Sequence, residues 1–247
     1  MWIQYREPKP RARLRLFCFP YAGGGASLFR SFGQRLPEEI EVWPVQLPGR
    51  EGRLREPAYA RMEPSINALL EALEPHLKPP YAFFGHSMGA LIAFELARAL
   101  RLRKQEEPVH LFVSGHRAPH LPAQGTTTYQ LSDEQFIERL HSLKGTPDEV
   151  IAHPELMNLL LPLLRADFEL CETYQWQPAA LLTCALSAYG GLLDKEAPRG
   201  SVLAWREHTS AAFHARFFPG EHFYIQQEQQ ALLFALAQDL AGDLQAL

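Results

Sequence analysis

The chain has 247 residues, 47% of them hydrophobic and 21% charged, with a formal net charge of -4. That length and apolar content suit one α/β domain with a large core. The lack of any Lys/Arg-rich run or aromatic–basic interleaving argues against a nucleic-acid partner.

The three cysteines, Cys18, Cys171 and Cys184, are far apart and form no Cys-x-x-Cys pair. A reduced cytosolic setting without a disulfide framework is therefore expected. Met1 to Pro10 is polar and Pro-containing, with no apolar leader-like core. No stretch approaches the ~18 uninterrupted apolar residues of a membrane helix. The expectation is a soluble, cytoplasmic protein without a membrane partner, and monomeric by default.

Arg13 to Phe19 alternates and then turns solidly apolar, which predicts a first buried strand. The basic residues before and within it (Arg6, Lys9, Arg11, Arg13, Arg15) read as a solvated strand face. Pro20-Tyr21-Ala22-Gly23-Gly24-Gly25 breaks the strand, and Ser27 is positioned to cap a helix from Leu28 to Leu36. Glu41 to Val45 predicts a second strand, running into the Pro48-Gly49-Arg50 turn. Ile66, Leu69, Leu70, Leu73 and Leu77 have helical spacing within Met62 to Leu77. Pro79-Pro80 ends that helix.

Tyr81 to Phe84 is a short apolar run that predicts a buried strand. Gly85-His86-Ser87-Met88-Gly89 follows, then a Gly- and Pro-free helix from Ala90 to Leu100. Val109 to Gly115 is the next strand, and His116 to Thr128 is loop-like, with Pro119, Pro122 and Gly125 as breakers. Ser132 to Leu143 reads as a capped helix. Glu155 to Trp176 is mainly helical, with Pro162 interrupting it early. A regular βα alternation would have returned to the sheet by then, so residues 130–177 are read as a helical insertion that packs over the sheet as a lid. The alternative is extra helices with no gating role. Leu181 to Ala188 and Phe213 to Phe218 are the last strands, with a helix starting around Trp205 between them. Gln227 to Leu247 is a closing helix with Leu232, Leu233, Leu236, Leu240 and Leu244 on one face. The alternation of β and α segments implies a mostly parallel sheet covered on both sides.

Gly-x-Ser-x-Gly between a strand and a helix places Ser87 on a sharp turn with its hydroxyl exposed. Such a serine needs a base, and the base needs an acid to fix its tautomer. In this arrangement the acid and then the histidine follow the serine, each past a late strand. Asp194, after Gly190-Gly191, fits the acid, with Glu196 its close competitor. His222, after the last strand, fits the base. His110 and His214 fall inside strands, His141 and His153 in the insertion, and His208 at the wrong end of a strand. His116 and His120 precede the acid. The oxyanion of a tetrahedral intermediate needs two donors. The backbone N–H of Met88 is one, and the Gly-rich loop supplies the other, assigned to Ala22 with Tyr21 and Gly23 as alternatives. The loop lacks both Lys-Ser/Thr and Gly-x-Gly-x-x-Gly spacing, which argues against a nucleotide cradle. The ten histidines are scattered, so no metal site is indicated.

On these motifs the chain resembles the type II thioesterases that accompany polyketide synthases and nonribosomal peptide synthetases. The resemblance spans roughly residues 14–240. It rests on Phe19-Pro-Tyr-Ala-Gly-Gly-Gly25, Gln46-Leu-Pro-Gly-Arg50, Gly85-His-Ser-Met-Gly89, Leu161-Pro-Leu-Leu-Arg-Ala-Asp167, Gly190-Gly-Leu-Leu-Asp194 and Phe218-Pro-Gly-Glu-His-Phe223. It implies an α/β-hydrolase fold, with Ser87 as nucleophile, Asp194 and His222 as acid and base, and Ala22 and Met88 as oxyanion donors. It also implies a mobile helical lid over an acyl chamber and no cofactor of the enzyme's own. The implied substrate is an acyl group on the phosphopantetheine arm of an acyl or peptidyl carrier protein, removed when wrong or stalled. A small-molecule carboxylesterase, an acyl-CoA thioesterase or an acyltransferase on the same residues is the alternative. The sequence departs from the family pattern at Lys195, where proline often follows the acid, and at Glu221, where a second glycine often precedes the histidine. Glu221 would raise the pKa of His222 if it faced the ring.

Overall fold

The computed structural model describes residues 1–78, 80–122 and 127–246, so the expected breakers Pro79 and Gly125 and the terminal Leu247 lie outside it. Its strands are β1 Leu14–Phe19, β2 Ile40–Pro44, β3 Tyr81–His86, β4 His110–Ser114, β5 Ala185–Gly191 and β6 Phe213–Phe218. They form one six-stranded sheet in the order β2-β1-β3-β4-β5-β6, and every neighbouring pair is parallel. The α-helices are α1 Phe32–Arg35, α2 Met62–Leu73, α3 Met88–Leu102, α4 Asp133–Leu143, α5 Asp148–Ile151, α6 Pro154–Glu172, α7 Arg199–Leu203, α8 Tyr224–Gln227 and α9 Gln229–Ala246.

Successive strand side chains point to opposite faces, and here both faces are apolar. Phe17, Phe19, Tyr81 and Phe83 pack with Leu69, Leu91, Phe94 and Trp205 on one face. Leu16, Cys18, Ala82 and Phe84 pack with Phe29, Phe32, Leu232 and Leu236 on the other. The sheet is thus buried on both sides, which is why its strands read as near-continuous apolar runs. Leu232, Leu233, Leu236 and Leu240 of α9 are buried as their spacing predicts, each stabilising the fold by about 1.5–3 kcal/mol.

Several boundaries differ from expectation for identifiable reasons. The helix expected from Leu28 to Leu36 is two short turns, a 3-10 turn at Ala26–Phe29 and then α1. Ser27 caps neither, because its hydroxyl donates to Glu51 Oε1 at 2.5 Å. Helix α2 ends at Leu73, and Glu74–His76 tightens into a 3-10 turn around Pro75, which has no N–H to donate. Residues 181–184 precede β5, which starts at Ala185. Leu182 makes only an isolated bridge to Thr209, and the Thr209 hydroxyl takes up the carbonyl of Cys184 at 2.7 Å. Pro162 does not interrupt α6. It lies on the exposed face, and so does Asn158, whose carbonyl it leaves free to face water.

Between β4 and β5 lie α4, α5 and α6, with a small apolar cluster of their own: Phe136, Leu140, Met157, Leu161 and Leu164. Ser132 caps α4, as expected, by accepting the Gln135 N–H at 3.3 Å. Among the described residues no helix is long and apolar enough to cross a membrane. Because every strand runs the same way, the loops after β1, β3, β5 and β6 all leave from one edge of the sheet. That edge is where α/β sheets collect their ligands.

Candidate active site

The turn after β3 holds Ser87 at φ 54°, ψ -118°, a region non-glycine residues seldom occupy. The Ser87 N–H donates to Ser114 O at 2.7 Å and helps hold this conformation. Both flanking glycines are required by close approach. A Cβ on Gly85 would lie 2.0 Å from Gly89 O, and one on Gly89 would lie 2.1 Å from Phe19 O. Met88 opens α3, so its N–H is one of four with no partner inside the helix.

The structure brings Ser87, Asp194 and His222 together. His222 Nδ1 lies 2.9 Å from Asp194 Oδ2, and His222 Nε2 lies 3.0 Å from Ser87 Oγ. A carboxylate only accepts, so Nδ1 carries the hydrogen and Nε2 is left to accept the serine proton. Asp194 Oδ1 accepts the N–H groups of Glu196 at 2.9 Å and Ala197 at 3.1 Å. Burial pushes the Asp194 carboxyl up, but the hydrogen bond and charge of His222 and the two backbone N–H groups outweigh it, and the pKa is held below the ordinary aspartate value. Glu196, the competing acid, is half exposed and pairs with Arg139 at 2.8 Å. Glu221 is held by Lys144 Nζ at 2.9 and 3.2 Å.

In the loop after β1, the Gly23 N–H is donated to Asp167 Oδ2 at 2.7 Å and the Gly24 N–H to Tyr21 O at 2.9 Å. Gly23 is therefore already engaged, and the neighbouring Ala22 is the better placed of the two to present a free N–H. Asp167 belongs to α6 and also meets Arg50 of the Pro-Gly-Arg turn. The meeting of these two motifs was not foreseen from sequence.

Behind the turn, His86 is fully buried. Its Nδ1 lies 2.9 Å from Ser114 Oγ, which in turn lies 2.6 Å from the Tyr224 hydroxyl. Its Nε2 has no partner among the described residues. Burial, then the neighbouring His222, pull its pKa down to about 3. His86 thus stays neutral 5.4 Å from the His222 ring and places no second positive charge beside it.

A second Ser–His–Asp arrangement lies elsewhere. His110 Nε2 is 2.9 Å from Ser187 Oγ and Nδ1 is 2.8 Å from Asp243 Oδ2. Ser187 is fully buried and its hydroxyl donates to Asp239 at 2.8 Å. No substrate reaches it and its proton is already committed, so this network ties α9 to the sheet.

A cavity of about 320 Å³ lies between Phe94, Trp176 and His208, and none of the candidate residues lines it. A space of only about 10 Å³ adjoins Met88, lined also by Leu47, Tyr59 and Leu170, which is room for about one water. Among the described residues no group of three or more His, Cys, Asp or Glu could hold a metal ion.

Residues 14–240 match the thioesterase domain family. The chain belongs to that family. It is 45% identical to a Brevibacillus parabrevis protein named linear gramicidin dehydrogenase LgrE, over 98% of this chain and 94% of that protein. The solved structure of RedJ, a thioesterase from the prodiginine biosynthetic pathway of Streptomyces coelicolor, is 44% identical, with a TM-score of 0.88 over 94% of this chain and 88% of that one. The type II thioesterase BorB from the borrelidin biosynthetic cluster is 36% identical, with a TM-score of 0.88 over 97% of each chain. This thioesterase therefore has the α/β-hydrolase fold of its structural relatives, and its chemistry is hydrolysis of thioesters. The word dehydrogenase in one relative's name finds no counterpart in its Gly23-Gly24-Gly25 loop, which lacks the dinucleotide spacing.

Proposed function

We propose that this thioesterase is a standalone type II enzyme. It removes wrong or stalled acyl groups from the phosphopantetheine arm of carrier proteins in polyketide and nonribosomal peptide synthesis. The observation that carries the reading is the hydrogen-bonded series Ser87–His222–Asp194, in a chain similar over nearly its whole length to a thioesterase of the prodiginine pathway and a type II thioesterase of the borrelidin cluster.

In this reading Ser87 Oγ attacks the thioester carbonyl carbon while His222 Nε2 takes its proton. The N–H groups of Ala22 and Met88 receive the oxyanion. The C–S bond then breaks, and His222 returns the proton to the departing pantetheine thiol. Water attacks the acyl-enzyme with His222 again as base, which releases a carboxylic acid and restores Ser87. These steps use only the chain's own groups and water. The space beside Met88 admits no acyl chain as it stands, so the insertion over 130–177 acts as a lid whose α4 part yields when substrate enters.

The test compares kcat/KM for acyl-carrier thioesters, acyl-CoA and simple oxygen esters. Carrier-bound substrates should be preferred. Equal or better rates on oxygen esters or acyl-CoA would favour a small-molecule esterase or acyl-CoA thioesterase instead. Ser87→Ala should abolish turnover and leave the melting temperature unchanged, and residual wild-type turnover would remove Ser87 from its role.

A further inference from the structure

The reaction proposed above leaves one buried ion pair without a task. Arg50 and Asp167, 117 residues apart in sequence, are 3% and 1% exposed. They meet bidentately, with Nη2–Oδ1 at 2.8 Å and Nη1–Oδ2 at 2.9 Å. The same two groups grip the loop after β1. Asp167 Oδ2 accepts the Gly23 N–H at 2.7 Å, and Arg50 Nη1 donates to Gly24 O at 3.1 Å. Helix α6 also presses directly on this loop, since a Cβ on Gly23 would lie 2.6 Å from Leu164 Cδ2.

Peptide planarity turns these contacts into a constraint on Ala22. The Gly23 N–H shares a plane with the Ala22 carbonyl, and Asp167 fixes that plane. The Tyr21 carbonyl shares a plane with the Ala22 N–H, and the Gly24 N–H fixes it at 2.9 Å. Arg50 holds the plane beyond Gly24. With its neighbours tied down, the Ala22 N–H has one direction.

We infer that Asp167, backed by Arg50, is a positioning residue for the oxyanion loop, so that α6 sets the aim of the Ala22 N–H. The inference rests on the reading of Ser87 as nucleophile and of Ala22 as donor. It divides the insertion by role. Helix α6 is a strut of the active site, joined to it through a buried pair. Helix α4 meets the site through the exposed pairs Arg139–Glu196 and Lys144–Glu221, which hold weakly.

Replacing Asp167 alone by an apolar residue would leave the Arg50 guanidinium buried with neither counter-charge nor acceptor and unfold the site for a trivial reason. The test therefore uses Arg50→Met with Asp167→Leu, which removes both charges at similar volume, and Asp167→Asn, which keeps one oxygen for the Gly23 N–H. The readouts are melting temperature, kcat and KM on S-acetyl-N-acetylcysteamine, and affinity for an acyl trifluoromethyl ketone, whose serine adduct carries an oxyanion. The paired variant should fold, lose about 100-fold in kcat and in ketone affinity together, and change KM by less than about threefold. Asp167→Asn should recover part of both losses. A folded paired variant with kcat and ketone affinity within about threefold of wild type overturns the inference. If the paired variant does not fold, Arg50→Lys, which keeps the charge but cannot reach both Asp167 oxygens and Gly24 O at once, takes its place, and unchanged kcat and ketone affinity there overturn it equally. Wild-type turnover in Ser87→Ala would sink the nucleophile reading, whereas unchanged kcat in the folded pair sinks only the coupling.

Discussion

The two oxygens of Asp194 have different partners, and that separation is testable. Oδ1 serves the backbone at Glu196 and Ala197, while Oδ2 serves His222. Asp194→Asn can keep the first set and present an N–H to His222 Nδ1, which forces the other tautomer and removes the lone pair facing Ser87. A loss of about 10⁴-fold in kcat with little change in melting temperature is expected; retention of more than about a tenth of the activity would sink the assignment. The depressed pKa of Asp194 stabilises the fold above the unfolded carboxylate value of about 3.9, and that contribution disappears as pH falls through the lower folded value. At this scale the sequence was readable where chemistry follows strand ends. Ser87, Asp194 and His222 each sit a few residues past a strand, and position relative to the strands, together with chain order, sorted His222 from the other histidines. Arg50 and Asp167 were visible only as motifs, because nothing local in either says that a guanidinium will meet a carboxylate 117 residues away.

At the scale of elements, the glycines divide into those that space requires and those it does not. Gly85→Ala would drive a methyl into the Gly89 backbone and should destabilise by about 3 kcal/mol. Gly242, inside α9, has nothing within 4 Å of its added Cβ. Gly242→Ala should therefore stabilise by about 0.5–1 kcal/mol through helix propensity. Urea unfolding of both variants checks the pair, and equal effects would mean the strand–turn–helix contact is looser than described. The elements legible from sequence were those whose apolar pattern is settled locally: the buried strands, α3, α4 and α9. One misread stretch, Leu28 to Leu36, was decided at a distance. Glu51 claims the Ser27 hydroxyl and Gln46 claims the Ala26 N–H at 3.0 Å, so the local capping signal never acts. Pro162 misled for the opposite reason, since its cost is small where the freed carbonyl faces water.

For the whole molecule, burial of histidines on the apolar side makes stability fall in acid. His86 is lowered to about 3 by burial and then His222. His208 is lowered to about 4 by burial, then His120 and Arg98. Unfolded histidine titrates near 6.5, so below that pH the unfolded chain takes up protons that the folded one refuses. Stability is then full above about 6.5 and declines toward about 4, by up to about 1.4 kcal/mol per pH unit for each group. Urea midpoints measured between pH 7.5 and 5 should show this decline, and His208→Phe, outside the candidate site, should flatten it. An unchanged slope in that variant would mean His208 is protonated in the fold. The fold class itself followed from the βα alternation, whereas the closeness of α6 to the catalytic edge did not.

Within five residues of α6, Leu163 packs on Gly49, Leu164 packs on Gly23, and Asp167 binds both Gly23 and Arg50. These contacts depend on angular phase, because each residue turns the helix by about 100°. A single insertion or deletion between Leu164 and Asp167 would swing the carboxylate to another side of the helix while leaving composition and hydropathy almost untouched. Chain length is therefore constrained in that turn. In this molecule the spacing of Leu163-Leu164-Arg165-Ala166-Asp167 carries information that its side chains alone do not.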